Sequence, residues 1–412
     1  MLNTSRSKLL LLLLFTLHCK SGLSTSAKQQ TQKDSTGEWA GCNITTNKDL
    51  TRRQPLVLIP GKVSGEYEFA YPDSGNTIHF DKHDQLVLAC PGSGFEEKKT
   101  ESTQEISCSD RGDFDSGASK KKFGELDCVR LPESQLKKVG TCAGEKSHFK
   151  VGFDVGATGF LPIMDLCFDE NDHIPVYTKH TITPNIKGSQ KGFDRVSFRE
   201  GTLFSDVSPS QAYKTTNQRT MLLRTLSNKE AQKYIQTRNF LAKGHCVPKA
   251  DFVFGAQQSA TFYYANTAPQ WQSFNGGNWQ TLEAAIRRLA VDQKVNLTVY
   301  TGVHGQLKVA GNPLYLTATT SGRNTIPVPQ LFWKVVHDDQ QRRAVAFIGV
   351  NDPFANRNDN PGSSLCRDVC KQISWVSFDE EPEKGLMYCC DVTDFFKKIK
   401  TMPKIVGSNL LN

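Results

Sequence analysis

The chain has 412 residues, 38% of them hydrophobic and 22% charged, enough apolar material for one large core or two smaller ones, which excludes a disordered or fibrous polypeptide. Its formal net charge of +8 favours an anionic partner, because a basic surface concentrates phosphates and steers them over long range. Charge of this size is also common among exported proteins with no such ligand.

Arg6 and Lys8 supply a positive n-region, and Leu9 to Leu17 form an apolar run of signal-peptide length, too short to span a bilayer. Residues 1–24 are therefore expected to be a signal peptide, removed between Ser21 and Ala27. No later stretch is long and apolar enough for a membrane anchor, so the mature product is expected to be secreted, extracellular and free of the membrane. The chain has twelve cysteines with no CxxC pair, as in a disulfide-bonded protein of an oxidising compartment. Loss of Cys19 leaves an odd number, so at least one thiol is free or pairs between chains. Asn43 and Asn296 open Asn-x-Thr sequons and are candidate glycosylation sites, the second in a strand-like run.

Residues 25–144 read as an N-terminal module. Its first 25 residues are polar and poor in aromatics, a flexible lead-in. From Pro55 the runs Leu56 to Ile59, Tyr67 to Tyr71, Thr77 to Phe80 and Leu86 to Ala89 are separated by Gly, Pro, Asp and Ser and predict short strands. The module carries Cys42, Cys90, Cys108, Cys128 and Cys142. Its lysine clusters, Lys98 to Lys99 and Lys120 to Lys122, read as a solvated charged face ahead of a nucleic-acid patch.

The second domain, 145–405, mixes strands with a helix over Asn278 to Asp292, where Trp279, Leu282, Ile286 and Leu289 recur at spacings of three and four. Strands are predicted at Leu297 to Tyr300, Leu331 to Val336 and Ala344 to Val350, the last two paired through the Asp338, Asp339, Gln340 turn. Strands before and after a helix, without alternating βαβ units, give an α+β fold.

HExxH, Walker, GxSxG and dinucleotide signatures are absent. One stretch carries chemistry: an apolar strand ending in Gly244-His245, an aromatic strand, an Asn275-Gly-Gly turn, and a helix bearing Glu283 and Arg287. Histidine suits deprotonation of water near neutral pH. Taken singly, His245 reads as structural, Asn275 as a turn residue before a helix, and Glu283 with Arg287 as an ordinary i,i+4 pair.

Taken together, the stretch resembles the DNA/RNA non-specific endonucleases. The family's Asp-Arg-Gly-His motif is matched by Ala242, Lys243, Gly244, His245. Its Asn-x-x-Pro-Gln segment is matched by Asn266 to Gln270, and its Asn-x-Gly-x-Trp-x-x-Leu-Glu-x-x-x-Arg segment by Asn275 through Arg287. The run Ile326 to Val336 looks like the family's Pro-aromatic-Trp-Lys-Val strand, and the N-terminal module resembles that of arthropod secreted members. The resemblance implies a ββα-metal core with a mixed antiparallel sheet, preceded by a small disulfide-bearing β-rich module. It implies His245 as general base, Asn275 as ligand of magnesium (manganese as a substitute), and Glu283 and Asn266 as outer-shell groups. Lys243 and Arg287 would neutralise charge in the transition state, with Glu283 a member of the catalytic set. The implied reaction is hydrolysis of double-stranded DNA, with RNA as a second substrate, leaving 5′-phosphate ends.

Two departures stand out. Lys243 keeps a positive charge without the bidentate fork of arginine, and Ala242 removes the motif's aspartate. Cys246, beside the base, is either the unpaired thiol or a local disulfide anchor. A secreted nucleic-acid-binding protein with decayed activity is the chief rival reading. An adhesive protein using Arg111, Gly112 and Asp113 is a third.

Overall fold

A computed structural model describes residues 41–412 except 64, 74, 110–111, 118, 237–238, 358–361 and 406–408. The expected signal peptide, and Arg111 of the Arg-Gly-Asp tripeptide, lie outside the described residues.

The frame is a nine-stranded sheet rich in β-branched and aromatic residues. Its main path runs Met387–Cys390, Arg343–Val350, Pro329–Asp338, Leu297–Gln306, Ile174–Ile182, Phe160–Asp169, Ser147–Asp154 and Gln135–Thr141, with Asn409–Leu410 added beside Arg343–Val350. Neighbours along that path are antiparallel, and the predicted Asp338 turn closes a hairpin in which Asp338 faces Arg343. Both faces are covered. In Pro329–Asp338, Phe332, Lys334 and Val336 point one way, Phe332 and Lys334 meeting Trp279 of the long helix. Trp333 points the other way and meets Phe395 of the C-terminal helix Val392–Lys398.

The long helix spans Asn278–Gln293. Trp279, Leu282, Ile286 and Leu289 are buried along one stripe, each contributing about 1.5–3 kcal/mol through removal of apolar surface from water. Gly277 offers no side-chain cap. Asn278 instead ties the helix start to the C-terminal loop, its amide donating to the Asp379 and Gly385 carbonyls (both 2.8 Å) while its oxygen accepts from the Asp379 N–H at 2.9 Å.

Ahead of the helix, Leu241–His245 and Thr267–Trp271 form a separate antiparallel ribbon with His245 opposite Thr267 and Ala242 opposite Gln270. Asn351 docks this ribbon on the sheet: its oxygen accepts from the Trp271 N–H at 3.0 Å, and its amide donates to the carbonyls of Pro269 (3.0 Å) and Pro329 (2.8 Å). Two strands and a helix thus stand together on the sheet, in an α+β fold.

The N-terminal residues form a six-stranded sheet and a strand pair, Cys42–Thr45 with Thr77–Phe80. Disulfides Cys42–Cys108 and Cys90–Cys128 staple them. Cys142, grouped with the module on sequence, pairs with Cys167 of the large sheet; it follows Gln135–Thr141, which is already an edge strand of that sheet. Cys366–Cys390 and Cys370–Cys389 close the C-terminal region. Among the described residues Cys246 is the free cysteine, and it is buried.

Candidate functional site

His245 ends its ribbon strand with its ring wedged between aromatics, the Phe198 and Phe262 centroids lying at 5.1 and 5.2 Å. Nε2 is buried without a partner among the described residues. Burial first, then the charges of Arg195 and Lys243, push the imidazole pKa down to about 3, so the ring is neutral at physiological pH.

His245 lines a cleft of about 480 Å³ together with Lys243, Asn275, Glu283 and Arg287. The residues picked out along one stretch of sequence therefore share one wall. Asn275 closes a single helical turn, Gln272–Asn275, just before the long helix. Its side chain has no hydrogen-bond partner among the described residues, nor has that of Glu283. Burial pushes the Glu283 carboxyl up to about 7, with Asp251 adding to the shift and Lys334 and Arg287 opposing it. Two oxygen donors facing one cleft without partners fit a hard divalent ion that keeps much of its water. Lys243 is half-buried, its ammonium 5.4 Å from the Phe198 ring centroid and 5.6 Å from that of Tyr213; burial lowers its pKa.

Arg287 does not pair with Glu283. Its Nη1 donates to Asp251 Oδ1 at 2.7 Å, and the other oxygen of Asp251 meets His180 Nε2 at 2.8 Å. Asp251 and His180 are fully enclosed, with side chains 3% and 0% exposed. Burial opposes ionisation of Asp251, but His180, Arg287 and Lys334 overcome it and hold the carboxylate below its usual range. Lys334 is buried under the cleft and donates to Thr301 Oγ1 at 2.5 Å.

Asn266 stands apart from the cleft. Its amide donates to the carbonyls of Val247 (3.0 Å) and Thr261 (2.9 Å), and its oxygen accepts from the Val247 N–H at 2.9 Å. In the structure it holds the loop after His245, and its polar atoms are spent on backbone.

Sequence reasoning missed His180, Asp251, Arg195 and Lys249. Lys334 was visible only as part of a strand motif. A signal existed for Asp251, a carboxylate six residues after the histidine inside the same loop. Elsewhere, three of the five clustered lysines are ion-paired: Lys98 with Glu101, Lys121 with Glu97 and Lys122 with Asp113. Asn43 is exposed, its oxygen 2.7 Å from His79 Nδ1. Asn296 is exposed just ahead of the strand that opens at Leu297, outside the strand proper.

Residues 144–395 match the family model described as DNA/RNA non-specific endonuclease. A salivary endonuclease of Lutzomyia longipalpis is 30% identical over 377 residues, 89% of this chain and 86% of its own length. Salivary protein Tsal2A of Glossina morsitans morsitans is 26% identical over 88% of this chain and 92% of its own. A salivary endonuclease of Culex quinquefasciatus is 28% identical over 66% and 71%.

Proposed function

The chain belongs to the DNA/RNA non-specific endonuclease family, metal-dependent phosphodiester-cleaving enzymes, and from that premise we propose that it is a secreted, magnesium-dependent endonuclease. Its substrate is double-stranded DNA, and RNA as a second polymer, cut with little sequence preference to leave 5′-phosphate ends. The observation that carries this reading is the gathering of Lys243, His245, Asn275, Glu283 and Arg287 on one cleft.

His245 is the general base. A neutral imidazole is ready to take a proton from water, and a low pKa by itself would make it a weak base. Burial is the larger cause of that depression; a phosphodiester bound near Arg195 and Lys243 would offset the smaller share that these two cations add, raising the ring's basicity when substrate is bound. Asn275 would hold the ion through its amide oxygen, and Glu283 would accept from the waters around it; manganese suits the same donors. When bound, the ion supplies Lewis-acid stabilisation of charge on the phosphate and the leaving oxygen. Lys243 and Arg287 neutralise the remaining charge, Arg287 held in place by Asp251. The chemistry addresses the backbone, so no base readout is expected.

Secretion is supported by the apolar N-terminal run, by the disulfides and by the salivary relatives, whose setting we extend to this chain. No helix among the described residues is long and apolar enough to cross a membrane. Exposed Asn43 and Asn296 are the proposed glycan acceptors.

Asn275→Ala provides the test of the metal assignment. The magnesium concentration for half-maximal plasmid cutting should rise by about tenfold or more, an effect of the size seen when a metal site loses a supporting group. Products of the wild-type enzyme should be joined by DNA ligase without prior kinase treatment. An unchanged magnesium requirement would remove Asn275 from the ion's shell.

A further inference from the structure

Beside the reaction cleft lies a second groove of about 640 Å³ between the long helix and the segment that follows Pro184. The two cavities share Lys249, Ala250 and Arg287. Lys187, Lys191 and Arg288 add three more cations to the groove, against the single carboxylate of Asp292. Arg287 is already compensated by Asp251. Nearby Asp194 pairs at 2.5 Å with Arg52 and also offsets part of the charge of Lys249. Lys187 and Arg288 have no carboxylate partner among the described residues. The floor is apolar, formed in part by Phe193 and Val291.

The outer wall is held by the N-terminal module. Thr46 Oγ1 donates to the Gly188 carbonyl at 2.8 Å, Asn47 Oδ1 accepts from the Lys191 N–H at 2.7 Å, and Gln54 Nε2 donates to Gln190 Oε1 at 2.9 Å. Asn185 Nδ2 donates back to the Pro72 carbonyl at 2.6 Å. The approach at Gly188 is close enough that a Cβ there would lie 2.8 Å from Pro72 Cγ and 3.0 Å from Asn76 Cα. Only a glycine lets the module clamp this wall so tightly.

We infer that this groove is a second nucleic-acid subsite, taking the sugar-phosphate backbone of the substrate beyond the scissile phosphate, with its basic outer wall pinned by the N-terminal module. The inference rests on the nuclease reading above. Continuity with the reaction cleft favours one polymer running through both over an unrelated acidic ligand. Arg288 lies five residues beyond Glu283, about 7.5 Å along the helix axis, or about two base steps at 3.4 Å per nucleotide.

The test uses the full secreted chain carrying Lys187→Ala, Lys191→Ala and Arg288→Ala together. Steady-state cleavage is compared on plasmid and on a thymidine dinucleotide, and plasmid binding is followed across a salt series in chelator. Plasmid KM should rise about tenfold or more, and the slope of log affinity against log salt should become shallower by about two to three, near 0.9 for each phosphate that the protein no longer neutralises. The loss on the dinucleotide, which is too short to reach the groove, should be much smaller. Gly188→Val, which displaces the wall with every charge intact, should also raise plasmid KM more than dinucleotide KM. Equal losses on both substrates, or an unaltered salt slope in the triple variant, would overturn the subsite. If the wild-type chain cuts neither substrate, the nuclease reading fails, and the binding slope still decides whether the groove grips the polymer.

Discussion

The His245 imidazole sits between two phenyl rings beside two cations, and its depressed pKa of about 3 has a consequence for stability as well as chemistry. The unfolded chain protonates this ring near its ordinary value of about 6.5, well before the folded chain does, so the unfolded state binds more protons between those limits. The stability associated with the neutral ring is present above the unfolded value and is lost as pH falls toward the folded one. Melting temperature should therefore drop from pH 6.5 toward pH 3 more steeply in the wild type than in His245→Ala; parallel curves would show that the ring is not held neutral. At this scale the grouping of His245, Lys243, Asn275, Glu283 and Arg287 on one cleft was legible because one short stretch carries them at fixed spacing. Asp251 and His180 were not, since their hydrogen bonds span 36 and 71 residues of chain and neither belongs to a local pattern. Asn266 was placed by its motif as a support of the metal site, and the structure shows its side chain bonded to the backbone of Val247 and Thr261 around the loop that follows His245.

The long helix was readable from its apolar stripe to within a residue, and the strands from Leu297 onward from their β-branched and aromatic runs. The helix Thr215–Thr225 was missed because it buries only Gln218 and Leu222, too little apolar signal to register as a stripe. What sequence could not convey is how the elements are locked together at the site. Asp251, in the loop after the His245 strand, joins His180 of a sheet strand to Arg287 of the long helix, and so fixes three elements through one buried carboxylate. Asp251→Asn keeps the shape and removes the charge. Breaking a buried pair from one side should destabilise the protein by about 3 kcal/mol, measurable by denaturant unfolding. It should also lower kcat more than it raises KM, because Arg287 loses its aim at the developing charge. Unfolding indistinguishable from wild type would mean that Arg287 is placed by other groups.

Across the whole molecule, the α+β class, the disulfide-bearing N-terminal region and the nuclease core were all legible, the last because motif order survives where individual residues differ. The disulfide pairing was not, since this many cysteines admit many connectivities; Cys142 crosses to Cys167 of the large sheet, and among the described residues Cys246 is left as the buried free thiol beside His245. The module's packing against the 185–191 segment was equally invisible, because hydrogen bonds such as Thr46 to Gly188 link positions 142 residues apart. Lys243, His245, Asn275, Glu283 and Arg287 line one cleft, and its chemistry is tested most directly by incubating the purified protein with supercoiled plasmid and with double-stranded RNA, in magnesium or in chelator, beside His245→Ala. Magnesium-dependent cutting that the substitution abolishes is the expected result. Tight binding without cutting, or cutting undiminished in His245→Ala, would contradict catalysis by this histidine.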